Sequence, residues 1–61
     1  MILYAIYKNG VHKGNERAIN GNKAIKNYII DSGLAEFLNN DSFLKQYSFK
    51  KAVKGIHYAE I

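Results

Sequence analysis

Sixty-one residues without a cysteine or a proline, 48% apolar and 23% charged, have the composition of one small globular domain spanning residues 1–61, and the missing cysteines exclude a disulfide framework and a thiolate metal centre. A chain of this length buries only about 60% of the surface its unfolded form exposes, so function belongs on the surface and a homo-oligomer is expected to supplement the thin core. Nine Lys and Arg against five acids give +4, a sign that steers polyanions, although eight of the nine are lysine and seven residues are Asn, the usage of an AT-rich coding sequence.

In chain order, Ile2, Tyr4 and Ile6 alternate with Leu3, Ala5 and Tyr7, which predicts a first strand apolar on both faces. Asn9-Gly10 tolerates positive φ at both centres of a tight turn. Val11 onward should therefore return antiparallel, with Tyr7 opposite His12, Ala5 opposite Gly14 and Leu3 opposite Glu16. The polar second strand, 11–19, is expected at a solvated edge with a bulge at Gly14, leaving the first strand central. Asn22 is a candidate cap for a helix whose stripe is Ala24, Ile25, Tyr28 and Ile29, stopped by Gly33 with Leu34 just beyond. A short second helix is predicted over Leu34, Phe37 and Leu38, and Asp41 or Ser42 can cap a third stretch with Phe43, Leu44 and Tyr47 on one face. Phe49, Ala52, Val53 and Ile56 follow the spacing i, i+3, i+4, i+7, so helix is predicted to Lys54 with Gly55 as its stop. Ile56 to Ile61 then forms a last strand. The fold class is α+β: an N-terminal β-hairpin, two or three short helices and a C-terminal strand, giving a three-stranded antiparallel sheet with helices on one face.

The chemistry-bearing residues are few. His12 and His57 lie 45 residues apart with no His-x-x-x-His spacing, which argues against coordination and places both on strand surfaces. Ser32, Ser42 and Ser48 sit at turns and caps, where a hydroxyl accepts a backbone N–H bond. Asp31, Glu36 and Asp41 recur every five residues, a spacing that spreads them around a helix. No glycine-rich phosphate loop is present. The chain is therefore read as a non-enzyme with no catalytic residue, no metal and no cofactor. The apolar run Met1–Tyr7 falls far short of the roughly 18 residues of a membrane span and has no basic leader, so a cytoplasmic protein with no membrane partner is expected.

One segment concentrates cations and aromatics: Lys45, Lys50, Lys51 and Lys54 interleave with Tyr47, Phe49, His57 and Tyr58. Stacking rings beside a basic groove are how single strands are bound without sequence preference. A helix-turn-helix is disfavoured, since the second helix would carry Glu36 and no cation into the groove.

The opening Tyr4 to Gly10 with Gly14, a helix a dozen residues later, and the closing Lys51-Ala-Val-Lys-Gly55-Ile-His-Tyr58 resemble short phage and mobile-element proteins, including the modular DNA-binding repeats of homing endonucleases. The resemblance covers roughly half the chain. It implies a phage-type origin and a DNA-binding role. Those repeats would place a serine-rich recognition helix where this chain has Tyr47 to Lys50, and the stretch Asp31 to Asn40 is an insertion relative to them. Five tyrosines in 61 residues favour instead a small non-enzymatic interaction protein of phage or mobile-element type that blocks or recruits a host protein by surface contact. Tyr47, Tyr58 and His57 are the expected contact residues. The alternative is a nucleic-acid-binding module using Lys45, Lys50, Lys51 and Lys54.

Overall fold

The computed structural model describes residues 1–58. It orders strand β1 (Ile2–Lys8), strand β2 (Val11–Ala18), helix α1 (Gly21–Asp31), a 3-10 turn (Ala35–Phe37), the single-turn helix α2 (Asp41–Leu44) and strand β3 (Tyr47–Lys51). The sheet is antiparallel with order β2-β1-β3, so β1 is central. The hairpin turns where the sequence says it must, with Asn9 at φ 51° and Gly10 at φ 80°. The Asn9 N–H donates to the Gln46 carbonyl at 2.8 Å, fastening the turn to the start of β3.

The register departs from expectation after the first pair. Tyr7 faces His12, but Ile6 faces Gly14, so Lys13 is the extra residue of a bulge and every later β2 residue changes face. Asn15 rather than Gly14 stands opposite Ala5, and Arg17 rather than Glu16 opposite Leu3. The reason lies in α1. A Cβ at Gly14 would stand 2.9 Å from Tyr28 Cε1, so the bulge brings the one residue without a side chain beneath the tyrosine ring. The same shift sends Asn15 and Arg17 to the outer face and Glu16 to the helix side.

Helix α1 forms as its apolar stripe predicts and buries Ala24, Ile25 and Ile29 against Tyr4, Ile6 and Ala18. Its cap is Asn20 rather than Asn22: the Asn20 side chain accepts from the Lys23 N–H at 2.9 Å. Gly33, at φ 79°, ends the helix as expected, and the Leu34 N–H closes back on the Ile29 carbonyl. The second helical stretch is a 3-10 turn. In the third, Asn40 takes the cap from Asp41 and Ser42, accepting from the Phe43 N–H at 3.0 Å. Leu34, Leu38, Phe43 and Leu44 pack around the core from this side.

The largest correction concerns the third strand. Residues 49–54 are not a helix; Tyr47–Lys51 is the strand beside β1, pairing Ile6 with Phe49 and Tyr4 with Lys51. Period two puts Tyr47, Phe49 and Lys51 on the helix side and Ser48 and Lys50 on the outer face. The helical spacing misled because Ala52, Val53 and Ile56 lie past the strand. Lys51 does not spoil it because an edge strand end lets a long side chain reach water. Phe49 meets Tyr4 edge-on at 5.5 Å and covers Gly21, where an added Cβ would collide with its ring. Gly55 has φ 86° within a turn, not at a helix end. Of the strand expected at Ile56–Ile61, residues 56–58 belong to that turn and 59–61 lie outside the described residues.

Candidate functional site

On the outer side of the sheet, β1 presents Leu3, Ala5 and Tyr7. Past β3 the chain stays close, the Ala52 N–H donating to the Leu3 carbonyl at 2.9 Å. Residues 53–58 then close a tight turn: the Ile56 and His57 N–H groups both donate to the Val53 carbonyl, and the Gly55 N–H to that of Tyr58. Polar groups tie this turn to the sheet, and its apolar side chains stay partly exposed. His57 Nε2 lies 2.7 Å from the Tyr7 hydroxyl, His57 Nδ1 accepts from the Val53 N–H at 2.7 Å, and Asn15 Nδ2 donates to the His57 carbonyl at 2.9 Å. Asn15 is itself held by His12, whose Nε2 lies 2.8 Å from Asn15 Oδ1 and 3.0 Å from the Gly14 carbonyl. The two imidazoles meet edge to face at 5.1 Å between centroids, with the Tyr7 ring 5.5 Å from His12 and 6.0 Å from His57.

The protonation pattern of this cluster follows from its partners. His12 Nε2 faces two oxygen acceptors and must carry a hydrogen. Because an N–H only donates, His57 Nδ1 must offer a lone pair to Val53, so the neutral ring carries its proton on Nε2 and donates it to Tyr7. Both imidazoles are thus committed to holding backbone and side chain in place. Among the described residues, no group of three or more His, Asp or Glu side chains stands close enough to hold a metal ion.

The expected contact residues separate. His57 and Tyr58 belong to the anchored turn; Tyr47 lies across the sheet on the helix side, half-buried 6.3 Å from Tyr28 and 5.4 Å from Phe43. Burial first, and the neighbouring Tyr28 second, hold the Tyr47 phenol above its ordinary range. The Lys8 ammonium lies 5.8 Å from both the Phe43 and Tyr47 rings, which makes Tyr47 part of an aromatic row that shelters the core's edge. A shallow cleft of about 280 Å³ opens beside it, lined by Asn22, Ile25, Lys26 and Leu44.

The four lysines also divide. Lys45 follows α2, Lys51 points to the helix side, Lys50 lies on the outer face with its ammonium 5.5 Å above the Tyr7 ring, and Lys54 sits in the turn. With Arg17, which the bulge turns outward beside Leu3, Lys50 and Lys54 give the outer side its cations. The described carboxylates stand elsewhere: Glu16 opposite Tyr4 on the helix side, and Asp31, Glu36 and Asp41 in the helical layer.

Three apolar side chains of the turn remain uncovered, with Val53 47%, Ile56 74% and Tyr58 41% exposed. Sequence reasoning named Tyr58 and His57 but not Tyr7, Asn15, Val53 or Ile56 as site residues. Nothing local marks Asn15, whose place depends on the bulge. The spacing puts Val53 on the stripe of a helix that does not form, and Ile56 at the start of a last strand where the chain instead makes a turn.

No protein-family model, curated protein or solved structure matches the chain. Among the described residues, no helix is long and apolar enough to cross a membrane.

Proposed function

We propose that the protein is a small, non-enzymatic interaction protein of phage or mobile-element type that binds, and by binding obstructs, an acidic surface on a host protein. The observation that carries this reading is the His57-anchored turn: three exposed apolar side chains, Val53, Ile56 and Tyr58, stand on a segment fastened by side-chain hydrogen bonds, with Lys54 in the turn and Arg17 and Lys50 on the same side of the sheet. A preorganised apolar knob loses little conformational freedom on docking, and cations on the same side of the sheet select an acidic partner surface. Tyr47, half-buried across the sheet, acts by supporting the core's edge.

The two kinds of residue separate kinetically. With partner captured on the immobilised protein, Ile56→Ala and Tyr58→Ala raise the off-rate, each by about 2 kcal/mol of binding free energy. Lys50→Gln with Lys54→Gln chiefly lowers the on-rate and flattens its salt dependence. Capture that is insensitive to Ile56→Ala and Tyr58→Ala overturns the reading.

A nucleic-acid ligand is the second reading, favoured by the cations of the outer face lying beside Tyr7, His12 and Tyr58 with every described carboxylate on the other side. In that case nuclease treatment abolishes capture, and affinity falls with salt with a log–log slope of about −2 to −3 for three engaged cations. A second copy of the chain as occupant shows as a concentration-dependent mass in sedimentation equilibrium, and Ile56→Lys returns it to monomer.

A further inference from the structure

The turn that carries Val53, Ile56 and Tyr58 leaves all three side chains partly exposed, and its side-chain ties converge on one residue, His57. His57 accepts from the Val53 N–H through Nδ1 at 2.7 Å, and donates through Nε2 to the Tyr7 hydroxyl at 2.7 Å. Its backbone also participates, donating its N–H to the Val53 carbonyl at 2.8 Å and accepting from Asn15 at 2.9 Å. The side chain and backbone of one residue therefore grip both polar groups of Val53. That grip exists in a single protonation state. An imidazolium bears hydrogen on both nitrogens, so its Nδ1–H would point at the Val53 N–H, donor against donor, and a bond of 2.7 Å would become a repulsive contact.

The groups around the ring add to this. From β1 it meets the Tyr7 hydroxyl; from β2 it meets the His12 ring at 5.1 Å, with Lys13 and Arg17 on the same strand; from β3, Lys50 lies over Tyr7; and the turn itself contributes Lys54 and Tyr58. None of the described carboxylates stands with them. His12 is the second group of the cluster that gains charge in acid, and two imidazolium rings at that spacing repel.

We infer that His57 is a proton-released latch: neutral, it holds the 53–58 turn against Tyr7 and Asn15, and on protonation it lets the turn go while the sheet and α1 stay folded. The consequence for binding rests on the reading of this turn as the contact surface, since release would disperse Val53, Ile56 and Tyr58.

The experiment is NMR on the free, full-length chain, with no partner present. Ring nitrogen shifts at about pH 8 should report the Nε2–H tautomer for His57. Amide exchange, corrected for intrinsic rates, is then followed from about pH 8 to pH 5. Val53 and His57 amides should lose protection by about tenfold or more, the change expected from losing a hydrogen bond of this kind, while the Ile29 amide keeps its protection. His57→Ala should show the open turn at both ends of the range, and His12→Ala should retain the transition. An Nδ1–H tautomer at His57, unchanged Val53 protection across the titration, or the same acid transition in His57→Ala would each overturn the latch. Should His57→Ala not fold, the tautomer and titration of the unaltered protein decide alone. A latch confirmed alongside partner binding that ignores Ile56→Lys at pH 8 would refute the contact surface and leave the latch standing.

Discussion

On its helix side the sheet buries Ile6 and Tyr4 beneath Ala24, Ile25 and Ile29; on its outer side Ala5 is equally inaccessible, yet the turn beside it is fastened by two histidines and an asparagine. Apolar closure tolerates small displacements and is indifferent to protons, because it depends on area removed from water. Polar closure depends on donors and acceptors matching one by one, and fails when a single group changes its protonation state. A chain of 61 residues has apolar side chains enough to close one face by the first means. The second face relies on polar ties as well.

The sharpest way to break this contrast is to remove one side chain from each layer. Ile29 is fully buried in the helix-side core, and Ile29→Ala should lower stability by about 3 kcal/mol through lost transfer energy and the cavity left behind. His57→Ala should cost no more than about 1 kcal/mol globally, since it frees a local turn. Urea unfolding followed by far-ultraviolet circular dichroism measures both. Equal losses would mean that the turn is part of the cooperative core and that the two faces are not closed differently.

A smaller effect tests how the outer face is made. The bulge at Lys13 decides which β2 residues face outward, and it is explained by Tyr28 lying on Gly14. Gly14→Ala should therefore cost about 1 kcal/mol, overpacking against the ring being partly offset by the better strand propensity of alanine. In a Tyr28→Ala background the same substitution should become neutral or stabilising, an interaction energy that a double-mutant cycle reads directly. A cost that persists without the ring would assign Gly14 to backbone geometry instead.

The same division explains what the sequence reveals. The hairpin at Asn9-Gly10, the central place of β1, the stripe of α1 and its stop at Gly33 are all written in neighbouring residues, because each is decided by local backbone preference or periodicity. The third strand is not. Phe49, Ala52, Val53 and Ile56 share the spacing of a helical face, and what makes Tyr47–Lys51 a strand is the vacant edge of β1, a tertiary fact. The bulge depends on a ring fourteen positions downstream, read from Gly14 to Tyr28. The meeting of His12 with His57 depends on the strand that returns the chain to Tyr7, and the Asn15 tie between them depends on the bulge that turns Asn15 outward. Composition pointed to a surface function and named His57, Tyr58, Lys50 and Lys54. Their grouping apart from Tyr47, Lys45 and Lys51 follows only once β3 is in place.

The smallest effect separates the two faces by the sign of their response to pH. Glu16, which the bulge sets opposite Tyr4, has its carboxyl raised above the ordinary range by burial first, then by hydrogen bonding with Asp31 and by the charge of Asp31. Asp31 is the last residue of α1, where the helix end disfavours a second negative charge. A carboxyl raised in the folded state holds its proton more tightly there than in the unfolded chain. Its contribution to stability is therefore fullest in acid, below the ordinary glutamate range, and is lost as pH rises through the raised folded value. Glu16→Gln removes the like-charge contact, so at neutral pH it should stabilise the fold by about 0.5 kcal/mol, the size of an exposed charge pair, and the gain should vanish in acid. The latch inferred for His57 would act in the opposite sense, its neutral ring being the form that accepts from the Val53 N–H. Thermal midpoints of the two proteins across pH 4 to pH 8, roughly the carboxylate and imidazole ranges, should converge at the acid end and diverge at neutrality. Curves that stay parallel would show that the Glu16–Asp31 contact does not govern the helix side, and Val53 amide protection over the same range would still report the outer face on its own.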